Sequence, residues 1–166
     1  MGKSSLIPVM LGLLMVCSTM SGCLGGDIFE SGDKKGIPGG LTLACLSSAK
    51  YTSMVVEIDY EPGYMPEQSS INLLKTRLEE VCDKPGGIQI ELSETNFEHS
   101  GSWTANDVRQ KAWEHKSNQP QTGSTLYWQA LFPSSEYAND DVLGVAVDAS
   151  TVAIFKDTVE LSLIHI

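Results

Sequence analysis

Stretches rich in β-branched and other apolar residues alternate with stretches of helical periodicity, and this alternation restricts the chain to a small set of folds. Met54–Tyr60 (MVVEIDY) is bounded by Pro62-Gly63 and reads as a strand. Ile71, Leu74, Leu78 and Val81 then recur at helical spacing, between Pro66 and the terminating Pro85-Gly86-Gly87. Ile88–Leu92 (IQIEL) alternates, as a half-buried strand does. Thr104-Ala-Asn-Asp107 resembles a capping box and opens a polar helix through Val108, Ala112 and His115. Ser117–Gly123 reads as a loop. Leu126–Phe132 (LYWQALF) is nearly continuous in apolar residues up to Pro133, as expected of a strand buried on both faces. Val142–Val147 and Val152–Phe155 flank Asp148-Ala-Ser-Thr151 and read as a hairpin or two neighbouring strands. The order β-α-β-α-β-β-β predicts an α/β class with an α+β edge. Its sheet is mixed, mostly parallel and twisted, with two helices, right-handed crossovers and an antiparallel border. Leu41–Leu46 (LTLACL) is short and apolar and is expected to be a further strand.

Composition narrows the function classes. The chain is 42% hydrophobic with a formal charge of -10. The apolar content excludes a disordered chain. Eleven Lys and Arg against 21 Asp and Glu argue against nucleic-acid binding, which needs clustered cations on phosphates. A single long apolar run excludes a polytopic membrane protein. That run, Leu6–Val16, follows Lys3 and precedes the small residues of Ser18–Gly22, so residues 1–22 have the layout of a signal peptide. Met20-Ser-Gly-Cys23 resembles the lipobox of prokaryotic lipoproteins, with Met where Leu is usual. The resemblance implies a lipid on Cys23 that holds the protein to the extracytoplasmic face of a membrane in the cell envelope. Plain secretion, with Cys23 unmodified, is the alternative. Removal of Lys3 would leave a still more acidic chain, repelled by anionic headgroups, so lipid rather than charge would anchor it. Residues 23–40 are Gly-rich and polar and read as a flexible tether.

With Cys17 in the leader and Cys23 lipidated, Cys45 and Cys82 remain. In an exported domain they form either a disulfide or two buried thiols. Neither has a Cys or His at metal-ligand spacing. At the other end, Leu161–Ile166 (LSLIHI) is what CTG TCT CTT ATA CAC ATC encodes, which looks like a transposon end used in library preparation. Residues 161–166 are therefore expected to be non-native, although their alternation also suits a strand. The domain of residues 41–160 is expected to be incomplete, because a helix normally follows a strand such as Val152–Phe155 and covers the sheet.

No catalytic or metal-binding residue can be assigned. His99 and His115 lack a second His or Cys at ligand spacing and read as solvated or capping residues. Glu57, Asp59 and Glu61 are expected to face water while Val56, Ile58 and Tyr60 face inward. Glu79, Glu80 and Asp83 crowd a helix C-terminus, offset in part by Lys75 and Lys84. Asn139-Asp140-Asp141 lacks the spacing of a known calcium loop. Ser150 and Thr151 read as turn formers, with no His or Lys placed by sequence to activate them. Trp103, Trp113 and Trp128 share no period, so packing in core and loops accounts for them without a carbohydrate platform.

Leu143-Gly-Val-Ala-Val-Asp-Ala-Ser-Thr-Val-Ala-Ile-Phe-Lys-Asp157, together with Met54–Tyr60 and Asp83–Gly87, resembles the upstream part of prokaryotic membrane-anchored proteins similar to metzincin-type zinc metallopeptidases. The resemblance covers residues 53–160 and contains no catalytic signature. It implies an N-terminal subdomain with a twisted β-α-β sheet, an antiparallel strand bordering the substrate cleft, and a following strand that leads into the His-Glu-x-x-His helix. Leu143, Gly144, Val145, Ala146 and Val147 would be the cleft-side strand, aligning an extended peptide or protein substrate by strand addition. Zinc is implied for a full-length relative, with every ligand beyond Glu160 and no cofactor in this fragment. The alternative is a non-catalytic envelope lipoprotein domain that binds a partner or ligand. A thioredoxin-like redox domain fits the element order but not the cysteines, which are not Cys-x-x-Cys.

Overall fold

The computed structural model describes residues 37–118, 121–139 and 141–155. The leader, Cys23, most of the tether and the 161–166 tail lie outside them. In chain order the elements are α1 (Thr42–Leu46), β1 (Ser53–Tyr60), α2 (Gln68–Val81), β2 (Ile88–Glu94), α3 (Ala105–His115), β3 (Gln121–Thr122), β4 (Thr125–Phe132), β5 (Gly144–Ala146) and β6 (Thr151–Ile154). The expected α/β class is found, with a third, short helix.

That helix replaces the strand expected at 41–46. Burial there does not alternate: Leu41, Ala44 and Cys45 are buried while Leu43 and Leu46 are exposed, which is a helical stripe. The Thr42 hydroxyl donates to the Gly39 carbonyl at 2.7 Å and fixes the first turn.

The sheet order is β2-β1-β4-β6-β5, with the two-residue β3 paired to the start of β4. β1 runs parallel to β2 and β4, β4 runs parallel to β6, and β5 is the antiparallel border. Right-handed crossovers decide where the helices go. The chain leaves β1 for β2 on one side, then crosses back from β2 to β4 on the other side of β1. Two right-handed connections of opposite direction put α2 and α3 on opposite faces. Burial agrees. Val108 and Ala112 of α3 pack with Leu131, Ala153, Phe97 and Trp103 on the face of the odd-numbered β1 and β4 residues. Leu74 and Leu78 of α2 border a groove together with Val56 and Trp128 on the even-numbered face. The α3 capping box forms as expected: Thr104 N donates to Asp107 Oδ2 at 2.8 Å, and Asp107 N to Thr104 Oγ1 at 3.3 Å. Cys45 and Cys82 are disulfide-bonded, joining α1 to the end of α2.

Candidate functional site

The last hairpin creates an open edge. Val142–Val147 contracts to a strand at Gly144–Ala146, with Leu143 and Val147 at its flanks. Phe155 N donates to the Leu143 carbonyl at 3.0 Å, and Val147 N to the Thr151 carbonyl at 3.1 Å. Odd-numbered residues therefore bond inward to β6. By the alternation of an antiparallel ladder, the N–H and C=O groups of Gly144 and Ala146 point to the free side. Gly144 is required for this closeness, since a Cβ there would lie 2.8 Å from the Ala153 carbonyl oxygen. Beside this border, on the even-numbered face, α2 leaves part of the sheet uncovered. Leu74, Leu78, Trp128, Ala130, Val152 and Ile154 line a groove of about 280 Å³. The Trp128 indole N–H is buried there without a hydrogen-bond partner.

The opposite face holds a polar seam that the sequence reading missed. Glu57, Asp59 and Glu61 do not face water; they are 6%, 1% and 8% exposed. The physical reason is the position of β1. It is paired on both sides and covered by a helix on each face, so neither set of alternating side chains reaches solvent. Each carboxylate instead fastens a returning segment. Glu57 accepts from the Ser117 hydroxyl and, at 3.2 Å, from Ser117 N just after α3. Asp59 accepts from Gln129 Nε2 at 2.7 Å on β4 and from Thr95 Oγ1 at 3.4 Å after β2. Glu61 accepts from Ser134 N at 2.5 Å after β4. Gln129 Oε1 is left unpaired.

Lys116, also unassigned by sequence, reaches into the β5–β6 turn. Its Nζ donates to Ser150 Oγ at 3.3 Å and Thr151 Oγ1 at 2.9 Å, and lies 4.0 Å from Asp148 Oδ2. A lysine does therefore meet the two hydroxyls that sequence left without a base. Both hydroxyls, however, donate to Asp148, and Ser150 and Thr151 are 6% and 2% exposed. This is a clamp on a turn rather than a nucleophile presented to substrate. Burial pushes the Lys116 ammonium pKa below its ordinary 10.5, against the pull of Asp148, Glu57 and Asp59. Burial likewise raises the Asp59 pKa above 3.8; the Gln129 hydrogen bond opposes the rise and the Glu57 charge adds to it.

A raised carboxyl pKa means that the folded state binds the proton more tightly than the unfolded chain. The associated stability is full below 3.8 and is lost as pH rises through the elevated folded value. The D59N variant lacks that loss. Urea unfolding from pH 3.8 to about 7 should show D59N gaining on the parent as pH rises. Parallel stability curves would reject this account of Asp59.

His99 and His115 pack beside aromatic rings. His115 packs edge-on against Phe97, with ring centroids 5.5 Å apart, and His99 lies 4.5 Å from the Trp103 ring. Asp141 N bonds to Asn139 Oδ1 at 3.2 Å as an Asx turn. Among the described residues, no three of His, Cys, Asp and Glu gather as a metal site.

No protein-family model matches the chain, and no curated protein or solved structure matches it either.

Proposed function

We propose that this is a lipid-anchored extracytoplasmic protein whose α/β domain forms the substrate-aligning part of a metzincin-type zinc metallopeptidase. The observation that carries the reading is the antiparallel border strand β5 with its outward-facing Gly144 and Ala146 backbone, next to a β6 that runs parallel to β4, β1 and β2. An extended peptide would add to that border through main-chain hydrogen bonds. The apolar groove supports the same reading, because it is a sheet face that a further helix would bury. The described residues do not fit a zinc site, so no catalytic step is derived through a metal. In this reading the ligands and the general-base Glu belong to sequence beyond Glu160, and the 166-residue chain is itself inactive.

The parent reading frame tests this directly. Read past codon 160, it should encode His-Glu-x-x-His. A natural stop at residue 166, or a continuation without His and acidic ligands, would leave only a tethered binding domain. Chelator-sensitive hydrolysis of casein by the purified chain would equally overturn the assignment of inactivity. Anchoring has its own test: C23S should move the protein from the membrane fraction to the soluble extracytoplasmic fraction. Retention of C23S on membranes would defeat the lipoprotein reading.

A further inference from the structure

One tryptophan does not pack as the sequence reading expected. Trp103 is fully buried and Trp128 lies in the sheet groove, whereas Trp113 is 72% exposed. It is the most exposed large apolar side chain among the described residues. Leaving an indole in water forgoes much of the burial free energy that Trp offers; a singly exposed apolar side chain is ordinary, so a reason for this one has to come from its surroundings.

Its surroundings supply one. Asn106, Arg109, Gln110 and Trp113 follow the i, i+3, i+4, i+7 pattern and form one stripe along α3, beside the stripe that packs on the sheet. With Lys116 and Asp148 they line a cleft of about 500 Å³, within the range of small-ligand sites. Arg109 Nη2 lies 3.5 Å from the Val147 carbonyl and spans from the helix to the far wall.

The charges of the cleft are already engaged. Arg109 Nη1 donates to Asn106 Oδ1 at 2.9 Å, Glu114 is paired with Lys111 at 2.8 Å, and Lys116 lies 4.0 Å from Asp148. Two cations, Arg109 and Lys116, are balanced by Glu114 and Asp148 on a chain whose overall charge is -10. An ionic ligand of either sign gains little from such a site. What is left open is an aromatic face flanked by amide groups. The Asn106 side-chain N–H groups are not used in holding Arg109, and Gln110 spends only Nε2, on Glu114 at 2.9 Å. A pyranose ring matches this set. Its weakly positive C–H groups lie on the electron-rich indole face, and its hydroxyls take both donors and acceptors.

We propose that the α3 cleft is a binding site for an uncharged saccharide, with Trp113 as the stacking platform and Asn106 and Gln110 as hydrogen-bonding partners. The site adjoins the β5 border through Val147 and Asp148, but it does not depend on the peptidase reading. In the test, the full-length chain in a zwitterionic detergent is titrated calorimetrically with the N-acetylglucosamine trisaccharide and, separately, with maltotriose. Saturable binding of at least one of them is expected. It should weaken at least ~10-fold in W113A and be largely retained in W113Y, which keeps an aromatic face. Because Trp113 is exposed, W113A should unfold at the parental temperature, so the loss would not reflect misfolding. Absence of saturable binding to both sugars, or equal binding by W113A, would overturn the proposal. Sedimentation decides what replaces it: self-association that W113A abolishes, without sugar binding, would make the stripe a protein contact.

Discussion

The double variant C45S/C82S should lose about 3–4 kcal/mol of unfolding free energy and melt roughly 10–20 °C lower than the oxidised parent. The bond spans a sequence separation of 37 residues, and closing a loop of that length removes a large share of the unfolded chain's freedom. Both cysteines are also buried, so serine at either position places a hydroxyl in apolar surroundings. The same junction carries a polar lock. Lys84 Nζ donates to the Ser47 carbonyl at 2.7 Å, and the Ser48 hydroxyl donates to Asp83 Oδ2 at 2.6 Å. These bonds hold α1 near the end of α2 without the disulfide, so the variant should still fold to the same sheet. Thermal unfolding by circular dichroism, with and without reductant, gives the comparison. A parent that melts at the same temperature in both conditions would show that the bond adds nothing to stability.

K116M should also destabilise, by about 1–3 kcal/mol, because it removes the ammonium donor from the buried Ser150 and Thr151 hydroxyls and leaves them in place. The Lys116 side chain is 8% exposed and lies across Ser150, Thr151 and Asp148. Methionine fills most of the volume, so the loss reports on charge and hydrogen bonds rather than on a cavity. The groups facing it are Asp148 from the β5–β6 turn and Glu57 and Asp59 from β1. The pH dependence has a definite sign. A lowered lysine pKa means that the folded state releases the proton more readily than the unfolded chain. The stability linked to it is therefore full above 10.5 and lost as pH falls through the lowered folded value. K116M should lack that alkaline gain. Denaturant titrations near neutrality and up to about pH 10 measure both effects. A variant as stable as the parent at neutral pH would show that the clamp is dispensable.

The fold was legible because its determinants are local. The periodicity of Ile71, Leu74 and Leu78, the Thr104–Asp107 capping box and the apolar run before Pro133 each specify an element with little help from elsewhere. The order of those elements then fixes a mainly parallel sheet. Misreadings arose where tertiary position overrides local pattern. Leu41–Leu46 is too short for its period to be told by eye, and only the burial of Ala44 and Cys45 on one side identifies the helix. Glu57, Asp59 and Glu61 alternate like a solvent face, and the element order alone does not say which strand is central; that comes from the observed order β2-β1-β4-β6-β5. Two crossovers in opposite directions make β1 central and cover it twice, so its acids had to be buried and paired. Lys116 was invisible for a different reason: it lies far in sequence from Asp148, Ser150 and Thr151, and only the packing of α3 on β4 and β6 brings them together. Trp113 was within reach. On a helix whose inward stripe is Val108 and Ala112, position 113 falls outside that stripe, and helical geometry alone excludes it from the core.

The central position of β1 means that a chain made from its N-terminus meets the two partners of that strand one after the other. Met54 pairs with Ile88 on one side and with Leu126 on the other. The first pairing, with α2 and both cysteines, lies within the stretch of chain that emerges earliest in a directional synthesis or export. Closing it costs the shorter loop. Oxidation of Cys45 and Cys82 can therefore lock a β1-α2-β2 nucleus before β4 exists to complete the sheet. Late in that sequence, the unfilled flank of β1 is a template waiting for one specific strand, and a delay between residues 94 and 125 is the interval in which chaperone protection would matter most.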